Sequence, residues 1–224
     1  MGQGLYDARY ERDSCGFGLI AQLDDRPSRK IVEQALEALT RMTHRGAVAA
    51  DGLTGDGCGI LLRRPESFWR NAAAEAGIAL TDTYASGLIF LPLQAEAASE
   101  CRAAVAKAVD SVGLKLLAWR EVPVDLEACG PLASRTRPGL GQVYVGSAED
   151  LDPGAFERAL YQARRRAELA LSAHQDFYVV TLSAHVYGIK AMVMPEWLPR
   201  FYLDLARPDL AASAATFHQR FSTN

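Results

Sequence analysis

The sequence predicts a mixed α and β fold, with strands and helices alternating and at least one antiparallel pair. Three observations carry that expectation. Apolar residues recur at helical spacing over 29–43: Ile31, Ala35, Leu36, Leu39 and Met42 share one side, and Ser28 stands as a cap. Residues 177–186 alternate apolar and polar side chains, as a half-buried strand does, and 191–194 is placed to pair with them. Between these, short apolar runs and alanine-rich stretches follow one another with turn residues in the gaps.

Taken in order, 16–23 is a strand opened by two glycines, and 29–43 is the capped helix. A glycine-dense loop follows over 46–59, then a short strand over 60–64 and a helix over 65–76 with Pro65 in its first turn. Strands are expected at 86–93, 114–124 and 141–147, with an alanine-rich helix over 96–112 between the first two. Asp152 caps a helix that begins at Pro153 and runs to about 172. After the alternating stretch, 195–205 and 208–215 carry helical patterns, and 216–222 a strand. No internal repeat or low-complexity linker is present.

Composition narrows the function classes. The 224 residues carry 24 basic and 27 acidic side chains, a net charge of −3, which gives no electrostatic footprint for nucleic acid or an anionic membrane. The longest apolar run, Gly87 to Leu93, has the length of a strand and cannot span a bilayer. Residues 1–14 are polar and lack the apolar segment of a secretory signal. The expectation is a cytoplasmic protein without nucleic-acid or membrane partners. Cys15, Cys58, Cys101 and Cys129 form no Cys-x-x-Cys pair, so no structural metal site is expected.

Three segments can carry chemistry. The first is His44-Arg45-Gly46-Ala47 followed by Asp51-Gly52-Leu53-Thr54-Gly55-Asp56-Gly57-Cys58-Gly59. Glycines this dense allow positive φ and close backbone approach. A phosphate cradle would need a Gly-Lys-Ser/Thr ending, and Asp51 and Asp56 would repel phosphate. A metal site from His44, Asp51 and Asp56 is a second reading, and a loop that only shapes a neighbouring site is the third, which composition favours. The second segment is Cys15-Gly16-Phe17-Gly18, behind a short polar arm. Were the arm removed, Cys15 would gain a free α-amine of pKa about 7.7–8.0, well placed to serve as its own base. The third is His218-Gln219-Arg220-Phe221-Ser222-Thr223-Asn224, where arginine offers a planar fork that grips a carboxylate.

Together these segments resemble a known family. CGFGLIA, ALEALTRMTHRGAVAADGLTGDGCGILL and HQRFSTN, with LLAWREVPVD, TRPGLGQVYV and FYVVTLSAHVYGIKAMVMPEWLPRFYLDL between them, are similar to the N-terminal class II glutamine amidotransferase domain of glutamate synthase large subunits. The resemblance runs from Cys15 to Asn224. It implies an α+β N-terminal-nucleophile (Ntn) hydrolase fold, an αββα four-layer sandwich that is C-terminally incomplete here.

The resemblance also implies roles. Residues 1–14 would be a propeptide and 15–224 the amidotransferase domain. Cys15 would be the nucleophile, with Arg45 beside it. Arg220 would hold the α-carboxylate of L-glutamine, with Ser222 and Thr223 in the same substrate-contacting strand. Asp51, Gly55, Asp56 and Gly57 match a loop behind the nucleophile and are expected to be architectural. The family's oxyanion Asn-Gly pair and its substrate-amine aspartate lie beyond Asn224. Loss of one oxyanion donor typically costs about 2.7–4 kcal/mol, so the chain alone is expected to be nearly inactive. For the complete protein the resemblance implies FMN, an iron–sulfur cluster, the remainder of the synthase chain and a small electron-delivering subunit. No cofactor is expected in these residues. A non-catalytic interaction module keeping the fold, or another class II amidotransferase, is the alternative.

Overall fold

The computed structural model describes residues 16–147 and 151–220. Eight strands form two antiparallel sheets within them: β1 (Gly16–Ala21), β2 (Thr54–Arg63), β3 (Tyr84–Leu91), β4 (Lys115–Glu121), β5 (Gly139–Gly146), β6 (Tyr178–Val179), β7 (Val186–Val193) and β8 (Ala214–Gln219). The first sheet has the order β1-β8-β2-β7 and the second β4-β5-β3-β6. The helices are α1 (Arg29–Arg41), α2 (Glu66–Glu75), α3 (Ala95–Asp110), α4 (Pro131–Thr136), α5 (Pro153–Ala170) and α6 (Leu198–Phe201).

Helix α1 forms where its pattern predicts. The Ser28 side chain accepts from Lys30 N, a cap worth about 1 kcal/mol, and Ile31, Val32, Ala35, Leu36 and Leu39 are buried. They pack on the face of the first sheet that carries Ile60, Leu62, Tyr187, Ala215 and Phe217. The opposite face keeps Phe17 (79% exposed), Leu19 (66%) and Met192 (50%) in solvent. Alternation along β1 explains the split, since neighbouring side chains point to opposite faces.

The second sheet follows a β3-α3-β4-β5-α5-β6 order, the ferredoxin-like arrangement, with α4 inserted between β4 and β5. Ala85, Ile89, Val143 and Val145 face α3 and α5, which contribute Cys101, Val105, Phe156 and Leu160 to one core cluster. Tyr84, Leu88 and Tyr144 face the other way and join the core of the first sheet. Helix α2 stands at that junction. Trp69 meets Tyr84 and Tyr187 edge-on at 6.2 and 6.0 Å, and its carbonyl accepts from Tyr144 Oη at 3.1 Å. Each such aromatic pair adds about 0.5–1.5 kcal/mol beyond burial. The two sheets thus share a core through α2, while the face of the first sheet away from α1 stays open.

A buried polar network ties the second sheet to the turns after α6. Arg120 binds both carboxylate oxygens of Asp204 at 2.8 Å and also donates to Gln142 Oε1 at 2.9 Å. Gln142 donates to Ser86 Oγ, which donates to the Val143 carbonyl.

Four expectations about elements are corrected. The 46–59 loop is a strand from Thr54 onward. Gly55 and Gly59 serve close strand packing: a Cβ there would lie 2.9 Å from Val193 O and 2.6 Å from His218 Cε1. The 177–186 strand is reduced to Tyr178–Val179, and it pairs with β3 rather than with 191–194, of which 191–193 belong to β7 beside β2. The chain crosses between sheets there: Val180 N and Thr181 N both donate to Leu88 O, and Thr181 Oγ1 accepts from Gly188 N at 3.1 Å. The 195–205 helix breaks into 3₁₀ turns on either side of α6, with Pro195 and Pro199 interrupting its amide donors. The 208–215 helix is absent. Ala212 bridges to Ser28, and β8 begins at Ala214, so tertiary pairing overrides alanine's helix preference. No helix among the described residues is long and apolar enough to cross a membrane.

Candidate active site

Strand register gathers the candidate residues at one end of the first sheet. Gln219 is the partner of Gly16 on β1 and of Cys58 on β2. The start of β1, the end of β8 and the first half of β2 therefore meet. Cys15, immediately before Gly16, lies outside the described residues, as do Ser222, Thr223 and the 1–14 arm.

Beneath Gly16 is the turn that follows α1. A Cβ on Gly16 would lie 3.1 Å from Met42 Sδ and 3.3 Å from Arg45 Cγ. The stem of Arg45 is thus in contact distance of the residue after Cys15. Arg45 itself closes a 3₁₀ turn, its N–H donating to Met42 O at 2.8 Å.

Arg220 is held by Asp56 and Gly57, where the register of β2 shifts between Thr54 and Cys58. Its N–H donates to Gly57 O at 2.7 Å, and its Nε lies 3.0 Å from Asp56 Oδ2. Arg220 takes a φ of +77°, in the left-handed region that costs a side-chain-bearing residue about 1–3 kcal/mol. Gly57, at φ +108°, turns its carbonyl toward it at no such cost. Asp56 N–H donates to Ala47 O at 3.3 Å, linking this part of β2 to the His44–Ala47 segment. Asp56 Oδ1 and both amide atoms of Gln219 are buried without hydrogen-bond partners among the described residues. They converge on Gly46, where a Cβ would lie 1.9 Å from Gln219 Nε2 and 2.7 Å from Asp56 Oδ1. A side chain there would have to displace the Gln219 amide and the Asp56 carboxylate.

The rest of the glycine segment faces elsewhere. Asp51 Oδ1 accepts from Leu53 N and Thr54 N, and Oδ2 from Thr54 Oγ1 and from Leu132 N in the first turn of α4. Those donors hold its carboxyl well below the usual carboxylate range. Asp51 is a clamp between β2 and α4, joined by Thr54, whose hydroxyl accepts from Ala133 N. Gly55 packs on β7 beside Val193. Sequence reasoning grouped Asp51, Gly55, Asp56 and Gly57 as one loop; the structure divides them, bringing only Asp56 and Gly57 to Arg220. It also missed Thr54 and the buried amide of Gln219. The inward positions of β2 and β8 were the available signal.

The described residues do not build an iron–sulfur site, which needs clustered thiolates. Cys58, Cys101 and Cys129 are buried on β2, on α3 and before α4, and no group of three His, Cys, Asp or Glu side chains among the described residues could hold a metal. Burial, with the charge of Asp56 adding, pushes the Cys58 thiol up to about 12. Burial raises Cys101 and Cys129 as well. At pH 8 the native protein should therefore leave these three thiols unlabelled by iodoacetamide, while urea exposes all three. Mass mapping of the labelled peptides checks this.

Two antiparallel sheets thus bring Gly16, the residue after Cys15, opposite Gln219, next to the point where Arg220 is held. Residues 15–224 match the class-II glutamine amidotransferases, and the chain belongs to that family. It is 39% identical over 223 residues to a glutamate synthase [NADPH] large chain of Azospirillum brasilense, which covers 98% of this chain and 15% of that protein. It is 34% identical over 224 residues to the corresponding large chain of Bacillus subtilis, covering 99% of this chain and 15% of that one. It is 38% identical over 220 residues to ferredoxin-dependent glutamate synthase 2 of Synechocystis, covering 96% of this chain and 14% of that one. The chain thus spans about one seventh of the length of these relatives.

Proposed function

We propose that this chain is the glutaminase part of a glutamate synthase, with Cys15 as its nucleophile. The observation that carries the reading is the family match, which begins at Cys15 and leaves the preceding 14 residues outside it. In this reading residues 1–14 are a propeptide, and 15–224 belong to the amidotransferase domain.

Cleavage between Ser14 and Cys15 frees an α-amine of pKa about 7.7–8.0. That amine takes the thiol proton, directly or through a water. The thiolate attacks the side-chain amide carbon of L-glutamine, giving a tetrahedral oxyanion. The carbon–nitrogen bond then breaks, the nitrogen takes up the proton and ammonia leaves, with a γ-glutamyl thioester remaining. Water hydrolyses the thioester and releases glutamate. Arg220 grips the α-carboxylate of the substrate through its fork of donors, assisted by Ser222 and Thr223, and Arg45 lines the nucleophile.

Ammonia passes to 2-oxoglutarate in the remainder of the synthase chain, where FMN and an iron–sulfur cluster supply the redox chemistry and a small subunit delivers electrons. The protein is cytoplasmic. The open face of the first sheet supports the four-layer αββα arrangement: Phe17, Leu19 and Met192 are exposed on it, and further strands of the longer chain would stack there.

Intact-mass analysis of the complete synthase, with a glutaminase assay, tests the reading. The expected result is loss of residues 1–14, a chain beginning at Cys15, and release of glutamate and ammonia from glutamine. An uncleaved arm with no glutaminase activity would favour an interaction module that keeps the fold.

A further inference from the structure

We propose that Asp56 is a positioning residue for substrate recognition: it holds Arg220 by Nε, so that the terminal nitrogens of the guanidinium present a free fork to the α-carboxylate of glutamine. The inference rests on the reading of Arg220 as the carboxylate anchor, and extends it to a residue expected to be architectural.

Three observations carry it. The Asp56–Arg220 contact is made at Nε, 3.0 Å from Oδ2. A guanidinium has five N–H donors, and a partner at Nε leaves the four terminal ones available. Arg220 keeps a left-handed backbone at φ +77° to make this contact, with its own N–H tied to Gly57 O at 2.7 Å. A half-exposed ion pair alone is too weak a reason for a strained backbone. Strain that the surroundings enforce is characteristic of a ligand clamp.

The aspartate is itself fixed. Its N–H donates to Ala47 O, and its second oxygen is buried against Gly46 without a donor among the described residues. Among the described residues Arg220 is its one ion-pair partner. The attraction of the carboxylate is therefore directed at a single guanidinium, from a side chain that is 27% exposed. Gly46 and Gly57 make the arrangement possible, one by admitting the carboxylate and the other by turning its carbonyl to Arg220.

The test is steady-state kinetics of the complete synthase with two substrates. One is L-glutamine. The other is 4-aminobutanamide, the same molecule without its α-carboxylate, followed by turnover or as a competitive inhibitor. Asp56→Ala should raise KM for glutamine by about 10- to 100-fold with kcat changed less than threefold. Against 4-aminobutanamide the variant and the parent should agree within about twofold. Asp56→Asn, which keeps an acceptor for Nε, should recover most of the loss. Should the alanine variant not fold, Asp56→Ser, too short to reach Nε, serves the same comparison.

Equal losses on both substrates, or no loss on glutamine, would overturn the proposal, as would an asparagine variant as impaired as alanine. Failure of the underlying reading looks different: either the parent enzyme lacks glutaminase activity, or Arg220→Lys leaves KM for glutamine unchanged.

Discussion

Replacing Cys15 by alanine is expected to lower the glutaminase turnover of the complete synthase by about 10⁶-fold, the scale seen when a covalent nucleophile is removed. In the proposed reading glutamine binding should change little, because Arg220, the residue after β8, would grip the carboxylate, and it is held by Asp56 and Gly57 rather than by the thiol. Calorimetry on the alanine variant checks binding, and ammonia release checks turnover. No neighbouring thiol can substitute. Cys58 is the partner of Gln219 across the ladder and is the nearest other cysteine by register, but it is fully buried and donates to Val193 O at 3.4 Å. Its thiol, pushed up to about 12, carries almost no thiolate near neutral pH. Residual activity within 100-fold of the parent would mean that another group attacks the amide. Serine at position 15 should also be severely impaired, since a hydroxyl is far less acidic than a thiol and an amine of pKa about 7.7–8.0 is a weak base for it.

Local signals were legible where one element decided its own structure. Ser28 and the Ile31–Leu39 stripe specify α1, and Asp152 with Pro153 specifies α5, whose cap is made by the Asp152 side chain to Ala155 N. Glycine was the least legible residue. In 46–59 it signals a loop by composition, yet Gly55 and Gly59 are strand residues that let β7 and His218 approach. The difference lies in the neighbours, which are more than a hundred positions away. The 177–186 stretch has the period of one strand, but its second half leaves the ladder where Thr181 reaches Gly188 and Leu88. In the candidate site, residue types were readable and grouping was not. Asp51 and Asp56 are five positions apart, and one clamps α4 while the other holds Arg220. The buried amide of Gln219 has no sequence signature of burial; it follows from its place between β1 and β2.

Removing the Asp204 carboxylate is expected to be the most destabilising single change outside the site. Arg120 and Asp204 form a bidentate pair at 2.8 Å, with side chains 11% and 4% exposed. Burying both charges is costly, so the pair as a whole adds little stability. Breaking it is another matter. Asp204→Ala leaves the guanidinium buried with only Gln142 Oε1 as a polar partner among its described contacts, beside the ring of Phe68 at 5.9 Å. Such an uncompensated charge typically costs about 3–5 kcal/mol. The loss should appear where the network joins two elements, the Arg120–Gln142 pairing of β4 with β5 and the turn over Leu203–Ala206. Amide hydrogen exchange there should quicken by about 10²- to 10⁴-fold, provided these amides open by the local event the pair resists. The double variant Arg120→Met/Asp204→Leu replaces the pair by apolar side chains and should recover most of the protection, because no charge is left unpaired. If the double variant exchanges as fast as Asp204→Ala, the polar contacts of the pair hold the turn to the second sheet, and the unpaired charge is not the cause of the loss.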